Sequence, residues 1–361
     1  MLMNPKKTRD RLKATVSGRL LLGFLSLLYF AVITARRALY GTRLFKSFKL
    51  PVPVICFGNL SAGGTGKTST VVMIAAELKK AGYNPAVLIR GYKRKAPGSK
   101  LTILAKGEEA PPPEEAGDEA LMLFNMLQDS GVPVLVSSDR YHSGLAAVKK
   151  FRSDILLMDD GYQFFRLRRD KNVVMINATS PFHRDSLLPL GDLRETPAGL
   201  RRAAAVVLSH CEHVSGPDIL EIREKVKQIS PSLPLLESKH TPESYIDALK
   251  KTSVPLSKFR GKKVTVLSAI GDPQSFENAI VRLKADPVQI WRYPDHHQFT
   301  RGELSAIQAT REGRPLITTY KDFIRFPADW PGILGDDVFI LSVEIVFQDD
   351  GLKRLMEIVT K

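Results

Sequence analysis

The 361-residue sequence predicts an α/β fold: a mostly parallel sheet core, an apolar helix ahead of it and a smaller C-terminal α/β domain behind it. Three observations predict it. From residue 50 onward, short apolar runs alternate with helical stretches, the pattern of a parallel sheet covered by helices. A glycine-rich turn, SAGGTGKTST at 61–70, separates one such run from a helix. Ahead of both lies GRLLLGFLSLLYFAVITARR, an apolar run bracketed by basic residues.

The N-terminal element comes first. The apolar run Leu20 to Ala35 is interrupted only by Gly23, Ser26 and Thr34. As a helix it spans about 24 Å, short of a hydrocarbon core of about 30 Å. It ends in Ala-Arg-Arg rather than at a small-residue cleavage site, which argues against a secretory signal. Residues 1–50 hold eleven basic residues and one acidic, Asp10, so +10 of the net charge of +15 lies there. Basic flanks on both sides suit a helix lying in, or dipping into, an anionic cytoplasmic leaflet. Residues 1–49 are therefore read as a basic, apolar, membrane-associated segment, with spanning and lying flat both open.

The remaining 311 residues carry only +5, and no basic stripe with interleaved aromatics appears among them. Nucleic acid is thereby excluded as a partner, and no segment calls for an obligate protein partner. A hydrophobic fraction of 43% and a charged fraction of 25% are ordinary for a globular protein. Two cysteines, Cys56 and Cys211, cannot form a disulfide framework, so a reducing compartment is expected. In SHCEH, His210, Cys211 and His213 lack a fourth ligand at zinc-site spacing and read as a strand end entering a loop.

The core is expected over 50–240, with strands at 53–59, 85–91, 132–138, 154–161, 173–178 and 204–209. KGEEAPPPEEAGDEA at 106–120 reads as a loop entering a helix, with Glu114 and Glu115 in the first turn. The proline-rich stretch 230–258 reads as irregular. A second series at 263–271, 287–294, 314–320 and 337–347 marks a smaller α/β domain over 241–361.

The glycine-rich turn carries chemistry. The phosphate-binding pattern G-x-x-x-x-G-K-[ST] follows a strand and opens a helix. Here the strand is PVICFGN, the helix TSTVVMIAAELKKAG, and the loop Ser61, Ala62, Gly63, Gly64, Thr65, Gly66, Lys67 and Thr68. Ser61 stands where the first glycine is usual. Backbone N–H groups and the helix N-terminus hold phosphate oxygens. Lys67 would reach the β/γ-phosphates, and the Thr68 hydroxyl would ligate Mg²⁺. In DILLMDDGYQ a buried strand runs straight into Asp159 and Asp160, where a metal-holding carboxylate sits in such folds. The core is therefore P-loop NTPase-like, with ATP and Mg²⁺ as its cofactors. Sequence alone leaves open which of the two aspartates is nearer the metal.

The loop is similar to that of membrane-associated partitioning ATPases, but their signature lysine position holds Ala62. The alternative reading, a membrane-associated P-loop ATPase switch without a phosphoryl acceptor, rests on that likeness. A larger set of stretches resembles the tetraacyldisaccharide 4′-kinase family: GNLSAGGTGKT, LIRGYKRK, EEAGDEA, SSDRYHSG, MDDGYQ, LPLGDLRE, AIGDPQSF, YPDHHQF and TTYKD, in one order across 58–322. The resemblance implies transfer of the ATP γ-phosphoryl group to the 4′-hydroxyl of an anionic, acylated glucosamine disaccharide 1-phosphate. It implies a site between core and C-terminal domain on the cytoplasmic face of an inner membrane.

It further implies Asp118 as base with His296 as its partner, beside Lys67, and Glu119 near the metal. Arg90, Arg140, Arg194 and Glu195 fall in matching motifs and are assigned to the substrate. Arg166, Arg168 and Arg169 meet lipid phosphate or form a solvated face; both readings stand. Three departures are visible: Ser69 where proline commonly follows GKT, Tyr320 where glutamate is common, and SAIGDP in place of a glycine-richer turn.

Overall fold

The computed structural model describes all residues except Met1–Asn4, Lys93, Glu109, Ala110 and His296. Two compact units emerge, Met1–Lys239 together with Phe347–Lys361, and His240–Val346. The division differs from the sequence boundaries at the C-terminus. The last helix, whose Leu355 and Val359 are buried among Val71, Ile74 and Leu78, returns to the first unit.

In the first unit the order is α1 (Pro5–Lys13), α2 (Val16–Gly41), β1 (Val54–Asn59), α3 (Lys67–Lys80), β2 (Pro85–Ile89), β3 (Thr102–Leu104), α4 (Pro113–Ala116), α5 (Asp118–Leu127), β4 (Val134–Val136), α6 (Arg140–Phe151), β5 (Ile155–Asp159), β6 (Lys171–Asn177), β7 (Ala205–Ser209), α7 (Gly216–Ile229) and the start of β8 (Leu235–Asp247). The strand order is β3-β4-β2-β5-β1-β6-β7-β8, with β3 antiparallel and the rest parallel. Strands buried on both faces explain the near-continuous apolar runs, such as Ile155–Met158. Strand β8 occupies part of the stretch read as irregular. Pro231 and Pro234 precede it, and only Pro242 falls inside.

Helix α2 has 26 residues, longer than its apolar run, because Thr15 caps it by accepting the Gly18 N–H at 3.1 Å and Ala38–Tyr40 continue it. At 1.5 Å per residue it is about 39 Å long. Among the described residues it is the one helix long and apolar enough to cross a membrane by length and composition. One stripe of it docks on the unit: Gly18 and Leu22 are buried, and Ser26 and Tyr29 hydrogen-bond to loop carbonyls. Leu20, Phe24, Leu27, Leu28 and Val32 on the remaining faces are exposed.

The second unit contains β9 (Ser253–Val254), β10 (Lys263–Ser268), α8 (Pro273–Arg282), β11 (Asp286–Arg292), α9 (Arg301–Thr310), β12 (Leu316–Thr319), α10 (Tyr320–Phe323), α11 (Trp330–Leu334) and β13 (Val338–Phe347), and α12 (Gly351–Thr360) follows as the returning helix. Strands β11-β10-β12-β13 pair in parallel in that order. Leu267, Leu316 and Ile340 pack against Leu304, Ile307 and Trp330 on one face. Val266, Ile317 and Phe339 pack against Phe276 and Ile280 on the other.

Candidate active site

The site begins with strand register. Phe57 of β1 pairs with Asp159 of β5, so the turn after β1 and the carboxylates ending β5 leave the sheet at the same edge. Gly58 makes this approach possible, since a Cβ there would lie 2.5 Å from the Tyr162 Cβ. Loop 61–66 then turns into α3, and its polar anchors come from Asn59 nearby and from the ends of β6 and β7. Thr65 is buried, its hydroxyl accepts from Asn59 Nδ2 at 3.4 Å, and its carbonyl accepts from Ser209 Oγ at 3.1 Å. Asn177 Nδ2 donates to the Gly64 carbonyl at 3.2 Å.

At the start of α3 the Thr68 hydroxyl donates to Asp159 Oδ2 at 3.0 Å. Lys67 Nζ lies 3.9 Å from Asp160 Oδ1 and donates to Thr65 Oγ1 at 3.4 Å. Arg194 Nη1 donates to both Asp160 carboxylate oxygens at 2.9 Å. Arg140 is buried beneath this turn; it donates to the Asp160 carbonyl at 3.4 Å and stacks 4.8 Å from the Phe164 ring centroid. Asp160 itself sits at φ 50, a left-handed conformation that aspartate tolerates better than most residues.

Electrostatics separate the two aspartates. Burial pushes the Asp159 carboxyl up to about 7, against the pull of Lys67, and the charges of Asp160 and Glu119 add to the rise. Burial would also raise Asp160, but Lys67, Arg194 and Arg140 outweigh it and hold that carboxyl below its ordinary value. Burial lowers the Lys67 ammonium, with Asp160 and Asp159 opposing. Among the described residues Asp159 Oδ1 is buried without a hydrogen-bond partner, so the carboxylate beside the Thr68 hydroxyl has an unused ligand atom. This donor set, one hydroxyl and one orphaned carboxylate oxygen, fits a hard divalent cation such as Mg²⁺.

The remaining predicted residues fall as follows. Asp118 and Glu119 open α5 after Gly117 at φ 85, a break that splits the predicted helix into α4 and α5. Glu119 is close enough for its charge to act on Lys67 and Asp159. Arg90 is exposed at the end of β2, and its charge reaches Arg140. Glu195 is buried and already engaged, accepting from Gln163 Nε2 and Arg202 Nη2 at 2.7 Å each. Arg166 and Arg168 are exposed, whereas Arg169 stacks 5.4 Å from the Phe165 ring centroid. His296 lies outside the described residues. Its neighbour His297 is held by Glu303 at 3.0 Å and by stacking on Tyr293.

Two further groupings involve motif residues to which the sequence assigns no part. Gln163, in MDDGYQ, bridges Glu195 to the Asn59 carbonyl at 2.9 Å, just ahead of the phosphate loop. In the second unit, Asp322 of TTYKD accepts the Ala269 N–H of AIGDP at 3.1 Å, and Lys321 lies 3.6 Å from Asp295 of YPDHH. These three motifs therefore meet in space. Tyr320 packs against the apolar cluster there, which accounts for an aromatic ring at that position.

A phosphate loop and a carboxylate pair delivered to one edge of a parallel sheet, with a lysine between them, define a P-loop nucleoside-triphosphate-using protein. The profile of the tetraacyldisaccharide-1-P 4′-kinase family matches residues 18–360. A tetraacyldisaccharide 4′-kinase of Elusimicrobium minutum is 39% identical, covering 95% of this chain and 91% of that one. Another of Halothermothrix orenii is 31% identical over 94% and 92% of the two chains. The crystal structure of LpxK from Aquifex aeolicus in complex with ATP superposes with a TM-score of 0.74 at 29% identity, covering 95% of this chain and 98% of that one. The chain belongs to the tetraacyldisaccharide 4′-kinase family, and is an ATP-dependent kinase of lipid A biosynthesis.

Proposed function

We propose that residues 61–68 hold ATP, that Asp118 takes the proton from the 4′-hydroxyl of a tetraacyl glucosamine disaccharide 1-phosphate, and that the reaction proceeds on an anionic membrane surface. The observation that carries the reading is the Thr68–Asp159 contact beside the Lys67–Asp160–Arg194 chain, in a chain whose relatives are named for this phosphoryl transfer.

Phosphoryl transfer requires positioning and charge neutralisation more than covalent chemistry. The loop N–H groups and Lys67 meet the phosphates, while Asp160 and Arg194 fix the lysine's surroundings. Thr68 and Asp159 are the residues that would hold Mg²⁺, with Glu119 near enough for its charge to act on Asp159. When bound, Mg²⁺ supplies neutralisation of charge on the β/γ-phosphate oxygens. A sugar hydroxyl is a poor nucleophile, so a carboxylate that accepts its proton lowers the barrier; the family resemblance assigns that role to Asp118, with His296 as its partner. Of the four substrate candidates, Arg90 and Arg194 reach solvent and suit anionic lipid, whereas Arg140 and Glu195 support the turns beneath them.

The exposed face of α2 supports the membrane reading. Leu44 and Phe45, 73% and 45% exposed, follow it between Arg43 and Lys46. Apolar side chains among cations seat in an anionic leaflet. A substrate with four acyl chains would stay in that leaflet, since each buried CH₂ contributes about 0.8 kcal/mol.

The test is label transfer from γ-labelled ATP to tetraacyldisaccharide 1-phosphate in mixed micelles. Wild type should label the lipid and Lys67→Ala should not. Asp118→Ala should lower kcat by roughly 100-fold or more while ATP affinity stays near wild type, because the base acts on the acceptor. ATP hydrolysis without labelled lipid would select the ATPase switch instead.

A further inference from the structure

We infer that the α1–α2 hairpin positions the phosphate loop as well as anchoring the chain, through loop 185–195, with Arg9, Tyr29 and Asp192 as the positioning residues. The inference rests on the kinase reading above and adds a part to it.

Loop 185–195 touches the hairpin on one side. Arg9 Nη1 donates to Asp192 Oδ1 at 2.6 Å and to the Gly191 carbonyl at 2.8 Å, and Arg9 Nη2 donates to Asp192 Oδ2 at 3.3 Å. Ser26 Oγ donates to the Leu187 carbonyl at 3.1 Å, and the Tyr29 hydroxyl donates to the Arg194 carbonyl at 2.9 Å. The same few residues touch the phosphate loop on the other side. The Ala62 N–H donates to the Asp192 carbonyl at 2.7 Å, and the Arg194 N–H donates to the Leu60 carbonyl at 2.6 Å. Beyond these, the Arg194 side chain holds Asp160.

Asp192 and Arg194 are thus each gripped from both directions. Asp192 takes the hairpin with its carboxylate and the phosphate loop with its carbonyl. Arg194 takes the hairpin with its carbonyl, the residue after β1 with its N–H and Asp160 with its guanidinium. The loop between them is stiff. Asp185 accepts the Asp192 N–H at 3.0 Å and the Ser186 N–H at 2.7 Å, and the Gly191 N–H donates to the Leu187 carbonyl at 2.9 Å. A displacement of the hairpin therefore reaches Ala62 and Asp160 through hydrogen bonds rather than being absorbed by slack chain. Arg9 is mostly covered, with 17% of its side chain exposed, so its ion pair is better shielded than an ordinary surface pair.

The experiment uses the full-length chain in mixed micelles of detergent and tetraacyldisaccharide 1-phosphate, with Tyr29→Phe, Arg9→Gln and the reversed pair Arg9→Asp/Asp192→Arg. Three quantities are read for each: kcat and KM for label transfer, affinity for a fluorescent ATP analogue without acceptor, and pelleting with anionic vesicles. Tyr29→Phe and Arg9→Gln should lower kcat and analogue affinity by roughly 5-fold each, with KM for lipid and vesicle pelleting unchanged. The reversed pair should recover part of the Arg9→Gln loss, which would assign that loss to the ion pair itself. Wild-type kcat and analogue affinity in both single variants would overturn the inference and leave the hairpin as an anchor only. So would a loss of kcat that merely tracks a loss of vesicle pelleting. If the wild type labels no lipid, the kinase reading fails, and analogue affinity alone still decides whether the hairpin positions the loop.

Discussion

At Asp159 and Asp160 two adjacent carboxylates with the same intrinsic chemistry acquire opposite behaviour from their surroundings. Asp160 turns toward Lys67 and Arg194 and stays ionised, while Asp159 is enclosed, has one oxygen with no partner among the described residues, and is pushed up to about 7. In the metal-free protein the folded chain therefore keeps a proton on Asp159 that the unfolded chain loses above the ordinary value of 3.8. The sign follows: this group's contribution to stability falls as pH rises from about 4 to about 7, then levels off. Asp159→Asn removes the titration. Its Tm relative to wild type should rise by a few degrees between pH 5 and pH 8 without metal. Added Mg²⁺ at pH 8 should stabilise wild type and not the variant. An equal Tm difference at both pH values would show that Asp159 is ionised throughout. The pair was visible in DILLMDDGYQ, but which member keeps an oxygen without a hydrogen-bond partner was not, because the answer depends on Thr68 and Arg194 far away in the chain.

Loop 185–195 shows how an element can hide its purpose in sequence. LPLGDLRE was legible only as a resemblance, since it has neither helical nor strand periodicity. In the fold it joins the hairpin, the phosphate loop and the carboxylate pair. Gly191 is the residue that lets it close: a Cβ there would meet the Ser186 carbonyl at 2.1 Å and Asp185 Oδ1 at 2.2 Å. Gly191→Ala should destabilise the protein by about 1–3 kcal/mol, read by denaturant unfolding, because backbone must shift to admit the methyl group. A variant within a few tenths of wild type would mean that the loop yields without strain. Glu195 is a related lesson. Its motif marked it for substrate, yet burial and two donors, Gln163 and Arg202, occupy its oxygens. Helix α2 was found from composition, but its docked stripe was not, because Ser26 reads as a mere interruption of the apolar run and Tyr29 as one more member of it until their partners are seen.

For the molecule as a whole, charge and hydropathy are concentrated at one end, with +10 in the first 50 residues and an exposed apolar helix among them. Removing residues 1–49 should abolish pelleting with anionic vesicles, and raising salt should weaken but not eliminate pelleting of the full chain. Full pelleting of the truncated protein would put the anchor elsewhere. The sequence by itself determined the phosphate loop, the strand-borne carboxylates, the parallel-sheet core and the family. Each is written in contiguous residues, through glycine spacing, short apolar runs and ordered motifs. Only the tertiary structure decided that α12 returns to the first unit, that Asp159 rather than Asp160 carries the unsatisfied oxygen, and that Arg9 and Tyr29 lie one hydrogen bond from the phosphate loop's support. The physical reason is common to all three: burial and long-range hydrogen bonds join residues more than 90 positions apart, and no local pattern of side chains records which of them will meet.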